Sequence, residues 1–212
     1  MSDVTILYYT SNREDPKFEE AVRQNTFNNS NGLPIVSVSQ KPIDFGRNIC
    51  VGEHGSSYYN EFKQIQIGLR EIDTKWVLVT EADVLYPPEY FQFVPEDDFI
   101  VYRYHPVYVH FEKRPSKFYY KGFSDGAQIM HREKWLDLIS QFVKDEWDYQ
   151  GKFRTPWVVP DTVDEKSWNG SPAISFKTRK GVSYATGLKE GKVEVLPYWG
   201  DIKQINKKIW NI

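Results

Sequence analysis

The chain has 212 residues, which is enough for one substantial hydrophobic core and too few for two comfortable domains. Its 27 basic and 29 acidic side chains nearly balance, so the composition excludes a global electrostatic attraction to nucleic acid or to an anionic membrane. The single cysteine, Cys50, excludes an internal disulfide and a multi-cysteine zinc site. Aromatic residues make up 16% of the chain, which favours either an aromatic core or surfaces where rings stack on sugars or bases.

The N-terminal segment predicts a strand, a helix and a second strand. Val4 to Thr10 is a run of β-formers, Pro16 suits the first turn of a helix from Asp15 to about Gln24, and residues 33–39 form the next apolar run. This order is typical of a βαβ unit with parallel strands. Polar residues at the ends of such strands are candidate nucleotide-binding groups, with helix capping as the alternative for the loop residues. They are Thr10, Asn12, Arg13 and Gln40.

Residues 43–55 are expected to form an irregular loop, and a long helix follows it. Ser56 or Ser57 caps this helix, which runs from Tyr58 to about Glu71 with an apolar stripe at helical spacing. Because the helix leads into the next strand, we expect its N-terminus and Lys63 to face a bound phosphate. A solvated lysine is the ordinary alternative.

The strongest functional signal is the stretch from Lys75 to Tyr86, KWVLVTEADVLY. Its first half is almost continuously apolar, as in a strand buried on both faces of a sheet. Glu81 and Asp83 follow at the carboxyl end, separated by Ala82, and offer hard oxygen ligands for Mg²⁺ or Mn²⁺. Solvated turn residues are the alternative explanation for so short a pattern.

This stretch resembles the DxD region of GT-A-type nucleotide-sugar glycosyltransferases, with Glu81 in place of the first aspartate. The resemblance implies a single-domain, Rossmann-like α/β fold over residues 1–212, in which a mostly parallel central sheet is flanked by helices and accompanied by a small antiparallel ribbon. Residues 1–100 would bind the nucleotide sugar, with Glu81, Ala82 and Asp83 among the donor contacts. Residues 101–212 would bind the acceptor.

The resemblance also implies a divalent cofactor, Mn²⁺ or Mg²⁺. Asp83 and Glu81 would be its ligands. GT-A enzymes commonly add a late histidine, but no histidine follows His131 in this sequence. Either Asp201 is the third protein ligand, or water and the diphosphate complete the site.

The second half begins with a strand from Asp98 to Tyr104 and an aromatic antiparallel ribbon that includes Tyr108 to Phe111. The stretch from Gly122 to Glu133 again resembles the GT-A pattern, which implies that Asp125 touches the transferred sugar or the acceptor. An ordinary Asp-Gly turn is the alternative. The predicted acceptor-binding residues are Gln128, His131, Trp168 and Trp199.

Residues 145–170 are expected to form a long polar loop that carries a further candidate catalytic acid, Asp164, beside Asp161 and Glu165. A helix from Lys134 to about Val143 precedes this loop. A short basic amphipathic helix from Ile202 to Trp210 ends the chain.

We therefore expect a metal-assisted glycosyltransferase that moves a sugar, from a UDP-sugar by preference, to a hydroxyl of a saccharide or small molecule. The formal net charge of −2 favours this acceptor over DNA. Modified viral DNA stays open as an alternative acceptor, because cations such as Lys121 alternate with aromatic residues. The sequence leaves two further functions open, a nucleotidyltransferase and a non-catalytic carbohydrate-binding module. Without an apolar span or a secretory signal in the sequence, we expect a soluble protein in the cytoplasm of a bacterial or virus-infected cell.

Overall fold

The structure is a computed structural model that describes residues 3–149, 151, 164–182, 188 and 191–210. The strands are β1 (Val4–Thr10), β2 (Ile35–Ser39), β3 (Arg47–Cys50), β4 (Trp76–Glu81), β5 (Val84–Leu85), β6 (Ile100–Phe111), β7 (Arg114–Gly122), β8 (Gln128–His131), β9 (Asp164–Lys177), β10 (Lys192–Val193), β11 (Val195–Leu196) and β12 (Gly200–Asp201). The helices are α1 (Pro16–Asn29), α2 (Tyr58–Glu71), α3 (Arg132–Ser140) and α4 (Ile202–Ile209), and a 3-10 helix spans Pro88–Gln92.

Ten of these strands form one mixed sheet with the order β10-β7-β6-β8-β4-β1-β2-β3, in which β9 lies beside β6 and β5 beside β9. The four strands β4, β1, β2 and β3 are parallel to one another. β8 is antiparallel to both β4 and β6, and β6 forms an antiparallel hairpin with β7. β11 and β12 form a separate antiparallel pair. The predicted α/β class, with a largely parallel centre flanked by helices and a small antiparallel pair, is confirmed.

The two faces of the central strands bury separate apolar clusters. Ile6 of β1 and Leu78 of β4 point into one cluster, while the adjacent Leu7 and Val79 point into the other. This alternation explains why both strands read as continuous apolar runs, because each face of a central strand is covered. The apolar stripe of α2 packs on the second face, where its Phe62, Ile65 and Leu69 are fully buried.

Two strands lie in segments that the sequence predicts to be loops. β3 falls inside residues 43–55 and pairs in parallel with β2 at the edge of the sheet, although its sequence, RNIC, lacks an apolar alternation. β9 begins inside residues 145–170 and pairs in parallel with β6. Its first half is polar and it contains Gly170 and Pro172, so only the long-range pairing with β6 identifies it as a strand.

Most other elements agree with their predicted positions or extend them, whereas α3 begins two residues before the predicted Lys134 and ends at Ser140, three residues before Val143. α1 continues five residues beyond Gln24 to Asn29, and β6 continues through a cis His105–Pro106 bond to Phe111. The aromatic ribbon is the β6–β7 hairpin, in which Val109 faces Tyr119. None of the helices in the described part of the chain has both the length and the apolar character needed to cross a membrane.

Candidate functional site

A cleft with a volume of about 200 Å³ opens at the carboxyl ends of β1 and β4. Its walls come from segments far apart in sequence. They include residues 9–11, Gln40 directly after β2, residues 55–58 and 60–61, the acidic triplet 81–83, Lys121 with residues 124–126, and Lys177 with residues 180–182. The carboxyl edge of parallel strands is where open α/β sheets bind ligands. The structure therefore brings the predicted acidic triplet, Thr10, Gln40 and Asp125 into one cleft.

Glu81 is the last residue of β4, and its carboxylate is held by groups from both sides. The hydroxyl of Tyr9 donates a hydrogen bond to Glu81 Oε1 at 2.9 Å. On the other side lies Gly126, where an added Cβ would collide with the Glu81 carboxylate. A glycine is therefore needed at position 126 for Glu81 to keep its place.

Asp83 lies beside the end of β9. The backbone N–H of Phe176 donates to the Asp83 carbonyl at 2.7 Å, and Lys177 Nζ lies 3.7 Å from Asp83 Oδ2. Both side chains are mostly buried, with 11% of Lys177 and 22% of Asp83 exposed. The ion pair is consequently part of the cleft wall rather than a solvated surface contact.

A third carboxylate, Glu61 in the first turn of α2, joins the acidic pair. Burial, and then the charge of Asp83, raise the pKa of Glu81 to about 7. Burial, followed by the charges of Glu81 and Asp83, raises the pKa of Glu61 well above its ordinary value. Burial alone would lower the pKa of Lys177, but the nearby carboxylates outweigh it and hold that pKa above its ordinary value. The lysine therefore carries its positive charge inside a cluster of acids.

Asp125 occupies the turn that leads into β8. Its Oδ1 accepts a hydrogen bond from Arg103 Nη1 at 2.9 Å, and Arg103 Nη2 lies 3.0 Å from Glu165 Oε1. With 44% of its side chain exposed, Asp125 is reachable by a ligand in the cleft, while Arg103 is held between the two acids. Asp164 lies at the start of β9 opposite Ile100, outside the cleft, and Asp161 lies outside the described residues.

Two further lysines line the cleft. Lys121 of β7 donates to Ser124 Oγ at 3.1 Å, and burial, and then the charge of Lys177, lower its pKa. Lys180 follows Lys177 in the chain and lines the same cleft. The predicted site lacks Lys177, Lys180 and Glu61, because no local sequence pattern distinguishes these residues from solvated ones.

The uncharged end of the cleft is fixed by hydrogen bonds between loops. Gln40 donates through Nε2 to the Gly55 carbonyl at 2.6 Å and accepts from the backbone N–H of His54 at 2.9 Å. Gln64 of α2 donates to the carbonyl of Thr10 at 2.8 Å. These side chains shape the wall through contacts within the protein.

Three other predicted donor contacts have structural roles or lie elsewhere. Asn12 adopts a left-handed conformation with φ of 52°, and its Oδ1 accepts from the backbone N–H of Lys41 at 2.8 Å. Arg13 is exposed and is not part of the cleft wall. Lys63 does not face the cleft, because its ammonium donates to the Lys144 carbonyl at 2.6 Å and thereby joins α2 to the segment after α3.

The four predicted acceptor-binding residues do not line the cleft. Gln128 is 1% exposed within the sheet, and His131 lies at the far end of β8, opposite Trp76. Trp168 packs in the core against Tyr90 and Phe93, with ring centroids 5.5 and 4.6 Å away. Trp199 is also buried, and its indole N–H donates to the Pro172 carbonyl. The two tryptophans therefore serve packing, as apolar rings most often do.

The predicted metal ligand set is not assembled. Asp201 caps α4 by accepting from the backbone N–H of Lys203 at 2.7 Å. Within the described ranges, no three His, Cys, Asp or Glu side chains are grouped as an ion-binding set. Glu81 and Asp83 are left, and Asp83 already faces the Lys177 ammonium.

A divalent ion bound by Asp83 would compete with the Lys177 ammonium for the same carboxylate. At an effective dielectric constant near 20, a lysine ammonium 4 Å from a doubly charged ion would repel it by about 8 kcal/mol, and a carboxylate at the same distance would attract it by about as much. The predicted use of Mn²⁺ or Mg²⁺ stays a prediction.

No protein-family model and no curated protein sequence matches this chain. Among solved structures, it is similar to a glycosyltransferase involved in glycosylation of the major capsid of PBCV-1, with 13% identity over 78% of this chain and 81% of that one and a TM-score of 0.47. An inositol-1-phosphate CTP transferase from T. maritima gives 11% identity over 82% and 89% of the two chains and a TM-score of 0.49. The bifunctional IspDF of Campylobacter jejuni gives 12% identity and a TM-score of 0.45 over 80% of this chain, which spans half of that protein. Likenesses at this level do not establish a shared activity.

Proposed function

We propose that this protein transfers a glycosyl group from a nucleoside diphosphate sugar, a UDP-sugar by preference, to an acceptor hydroxyl. The observation that carries the proposal is the meeting of three kinds of group in one cleft: the strand-end acids Glu81 and Asp83, the reachable carboxylate of Asp125, and the ammonium groups of Lys121 and Lys177. Ammonium groups are common phosphate-binding groups, and a carboxylate beside them can serve as a general base.

The two ends of the cleft suit the two parts of such a donor. Thr10, Gln40 and Ser57 provide an uncharged polar wall that suits a ribose and base. The charged wall around Glu81 and Lys177 suits the diphosphate and the sugar. This division supports one extended ligand that spans the carboxyl ends of β1 and β4.

Asp125 is the residue we assign as general base in an inverting transfer. The acceptor oxygen forms a bond to the anomeric carbon, and its proton passes to the Asp125 carboxylate. The bond from the anomeric carbon to the diphosphate breaks, and its electron pair leaves with the diphosphate. Arg103 fixes the direction of the Asp125 carboxylate through the 2.9 Å hydrogen bond.

A saccharide or small-molecule acceptor suits the surface next to Asp125. Phe123 is 46% exposed and Tyr120 is 39% exposed, and the ring of His105 packs against both. Exposed rings stack on the apolar faces of sugars. A saccharide acceptor does not need the phosphate contacts that a nucleic acid would require.

Ligand-induced stabilisation tests the proposal directly. We expect UDP and UDP-sugars to raise the melting temperature, by the equivalent of about 2.7 kcal/mol at a ligand concentration 100 times the Kd. The panel should include other nucleotide sugars, nucleoside triphosphates and free saccharides, each with and without Mn²⁺. A response to nucleoside triphosphates alone would indicate nucleotidyl transfer, and a response to free saccharides alone would indicate a binding module.

Slow hydrolysis of the stabilising nucleotide sugar in the absence of acceptor would then separate a transferase from a binder. Asp125→Asn is the matched control, since it retains the shape of the cleft and should lose this hydrolysis. Hydrolysis that is equal in both proteins would contradict the proposed role of Asp125.

A further inference from the structure

We propose that the ammonium of Lys177 stabilises the negative charge that develops on the departing diphosphate. Asp83 then positions this ammonium and is not a ligand of a divalent ion. This inference rests on the proposed function and names the cationic group at the same site. It assigns a role to a lysine that the sequence alone does not single out.

The backbone fixes the position of Lys177. β5 follows directly on Asp83 and pairs with β9, so that Val84 faces Ser175. The hydrogen bond from Phe176 N to the Asp83 carbonyl at 2.7 Å extends this pairing to the acidic triplet itself. Strand register therefore places the backbone of Lys177 beside Asp83, and the mostly buried side chain directs its ammonium to the Asp83 carboxylate.

The distance within the ion pair suits a carboxylate that positions the ammonium for a ligand. Lys177 Nζ and Asp83 Oδ2 are 3.7 Å apart, whereas charge-assisted N–H to O hydrogen bonds are about 2.7–2.9 Å long. The carboxylate thus attracts the ammonium without a short direct hydrogen bond to it. A phosphate oxygen in the cleft can make a shorter bond to the same ammonium while Asp83 keeps it charged and oriented.

The lysines of the cleft come from two separate segments of the chain. Lys121 reaches it from β7 and is steadied by Ser124, while Lys177 and Lys180 reach it from β9 and the segment that follows. A departing diphosphate gains charge as the bond to the anomeric carbon breaks, and its electron pair stays on the diphosphate oxygen. Several ammonium groups along the same cleft can stabilise this charge without a metal ion.

Asp83 cannot pair with the Lys177 ammonium and bind a divalent ion with full strength at the same time. The repulsion between the ammonium and such an ion means that occupancy by one weakens the other. The two roles of Asp83 therefore predict opposite effects when the lysine charge is removed, which makes the proposal testable by binding measurements alone.

The experiment is isothermal titration of UDP and, separately, of Mn²⁺ into the parent protein, Lys177→Met and Lys177→Arg. UDP is titrated both with EDTA and with Mn²⁺. We expect the parent to bind UDP in EDTA, and Lys177→Met to bind it on the order of 10- to 100-fold more weakly, the range for losing a hydrogen bond to a charged group. Lys177→Arg keeps the charge and should retain most of the UDP affinity. Lys117→Met, an exposed lysine of β7 outside the cleft, is the matched control and should leave UDP binding unchanged.

Two results would overturn the inference while leaving the proposed function intact. One is equal UDP affinity of the parent and Lys177→Met in EDTA. The other is a parent that binds UDP only with Mn²⁺ together with a Lys177→Met variant that binds Mn²⁺ more tightly, since that would assign Asp83 to the metal. A parent that binds no nucleoside diphosphate in either condition would contradict the proposed function itself.

Discussion

The two sides of the sheet contribute opposite charges to the cleft. The parallel side, built from β1 to β4 with α1 and α2, supplies the carboxylates of Glu61, Glu81 and Asp83. The side built from β6 to β9 supplies Lys121 and Lys177, together with Asp125 held by Arg103. Neither side forms the site alone, so the chemistry of the cleft depends on how the two are joined.

The joint is a set of buried hydrogen bonds next to the acidic triplet. The backbone N–H of Glu81 donates to the Tyr86 hydroxyl at 3.0 Å, and that hydroxyl donates to the Gly126 carbonyl. The Tyr90 hydroxyl donates to the Val79 carbonyl at 2.5 Å and lies 3.3 Å from the Gln128 carbonyl. Two fully buried tyrosines therefore connect β4 to β8 and set the distance between the acids and Asp125.

The largest effect is expected at Asp125, the acid contributed by the second side. Asp125→Asn keeps the shape of the side chain but cannot accept the proton, so we expect kcat to fall by roughly 10²-fold or more with little change in donor affinity. Steady-state kinetics of sugar transfer measure both. Asp164→Asn is the control because Asp164 lies outside the cleft, and unchanged turnover of Asp125→Asn would move the role of base to Glu165.

The acids of the first side should make stability depend on pH in the direction opposite to an ordinary carboxylate. The pKa of Glu81 is raised from 4.5 to about 7 in the folded protein. Between these values the folded chain holds a proton that the unfolded chain has released, so the free energy of unfolding falls as pH rises through this window and stays reduced above it. Glu81→Gln removes this titration.

The stability gained by Glu81→Gln should accordingly grow from near zero below pH 4.5 to on the order of 3 kcal/mol above pH 7. Urea unfolding of both proteins at pH 4.5, 6 and 8 measures the difference. Glu133→Gln, which replaces an exposed acid outside the cleft, should show no such growth. A Glu81→Gln difference that is constant across this range would contradict the raised pKa.

A smaller effect is expected at the joint. Gly126→Ala places a Cβ against the Glu81 carboxylate, and overpacking of this kind typically costs about 1–3 kcal/mol. Because Glu81 must then move, we also expect weaker binding of UDP. Gly32→Ala is the control for stability alone, since an added Cβ there meets no neighbouring atom while the positive φ of 73° still strains the backbone.

The sequence predicts the parallel side far better than the other side. The bounds of β1 and α2 agree with the structure residue for residue, because apolar runs, caps and helical spacing are local signals. β9 has no such signal, since its polar first half becomes a strand only by pairing with β6. The position of Lys177 is not predictable for the same reason, because its place beside Asp83 depends on the pairing of Val84 with Ser175.

The same contrast explains the outcome for the individual site residues. Glu81, Asp83 and Asp125 follow strand ends or a glycine turn, which are recognisable in a sequence, and all three line the cleft. The prediction for Trp168 and Trp199 rests on ring chemistry alone, whereas the core clusters that bury them form from several strands and helices. Residue type therefore identifies candidate acids well where a strand end fixes their position, and identifies aromatic residues poorly.

The smallest effect on function is expected at Lys63, which the sequence places at the phosphate and the structure places elsewhere. Its ammonium donates to the Lys144 carbonyl at 2.6 Å and lies 3.7 Å from Asp145 Oδ1, and burial lowers its pKa. Lys63→Met should therefore lower the free energy of unfolding by about 1.5–3 kcal/mol, the usual range for a hydrogen bond to a charged group, and leave the Kd for UDP unchanged. Arg13→Ala is the matched variant, because Arg13 is also predicted at the phosphate but is exposed outside the cleft, and it should change neither quantity. Thermal unfolding and UDP titration of the two variants separate the roles. Weaker UDP binding by Lys63→Met with unchanged stability would indicate that this lysine contacts the donor. The cations of the cleft would then come from both sides of the sheet.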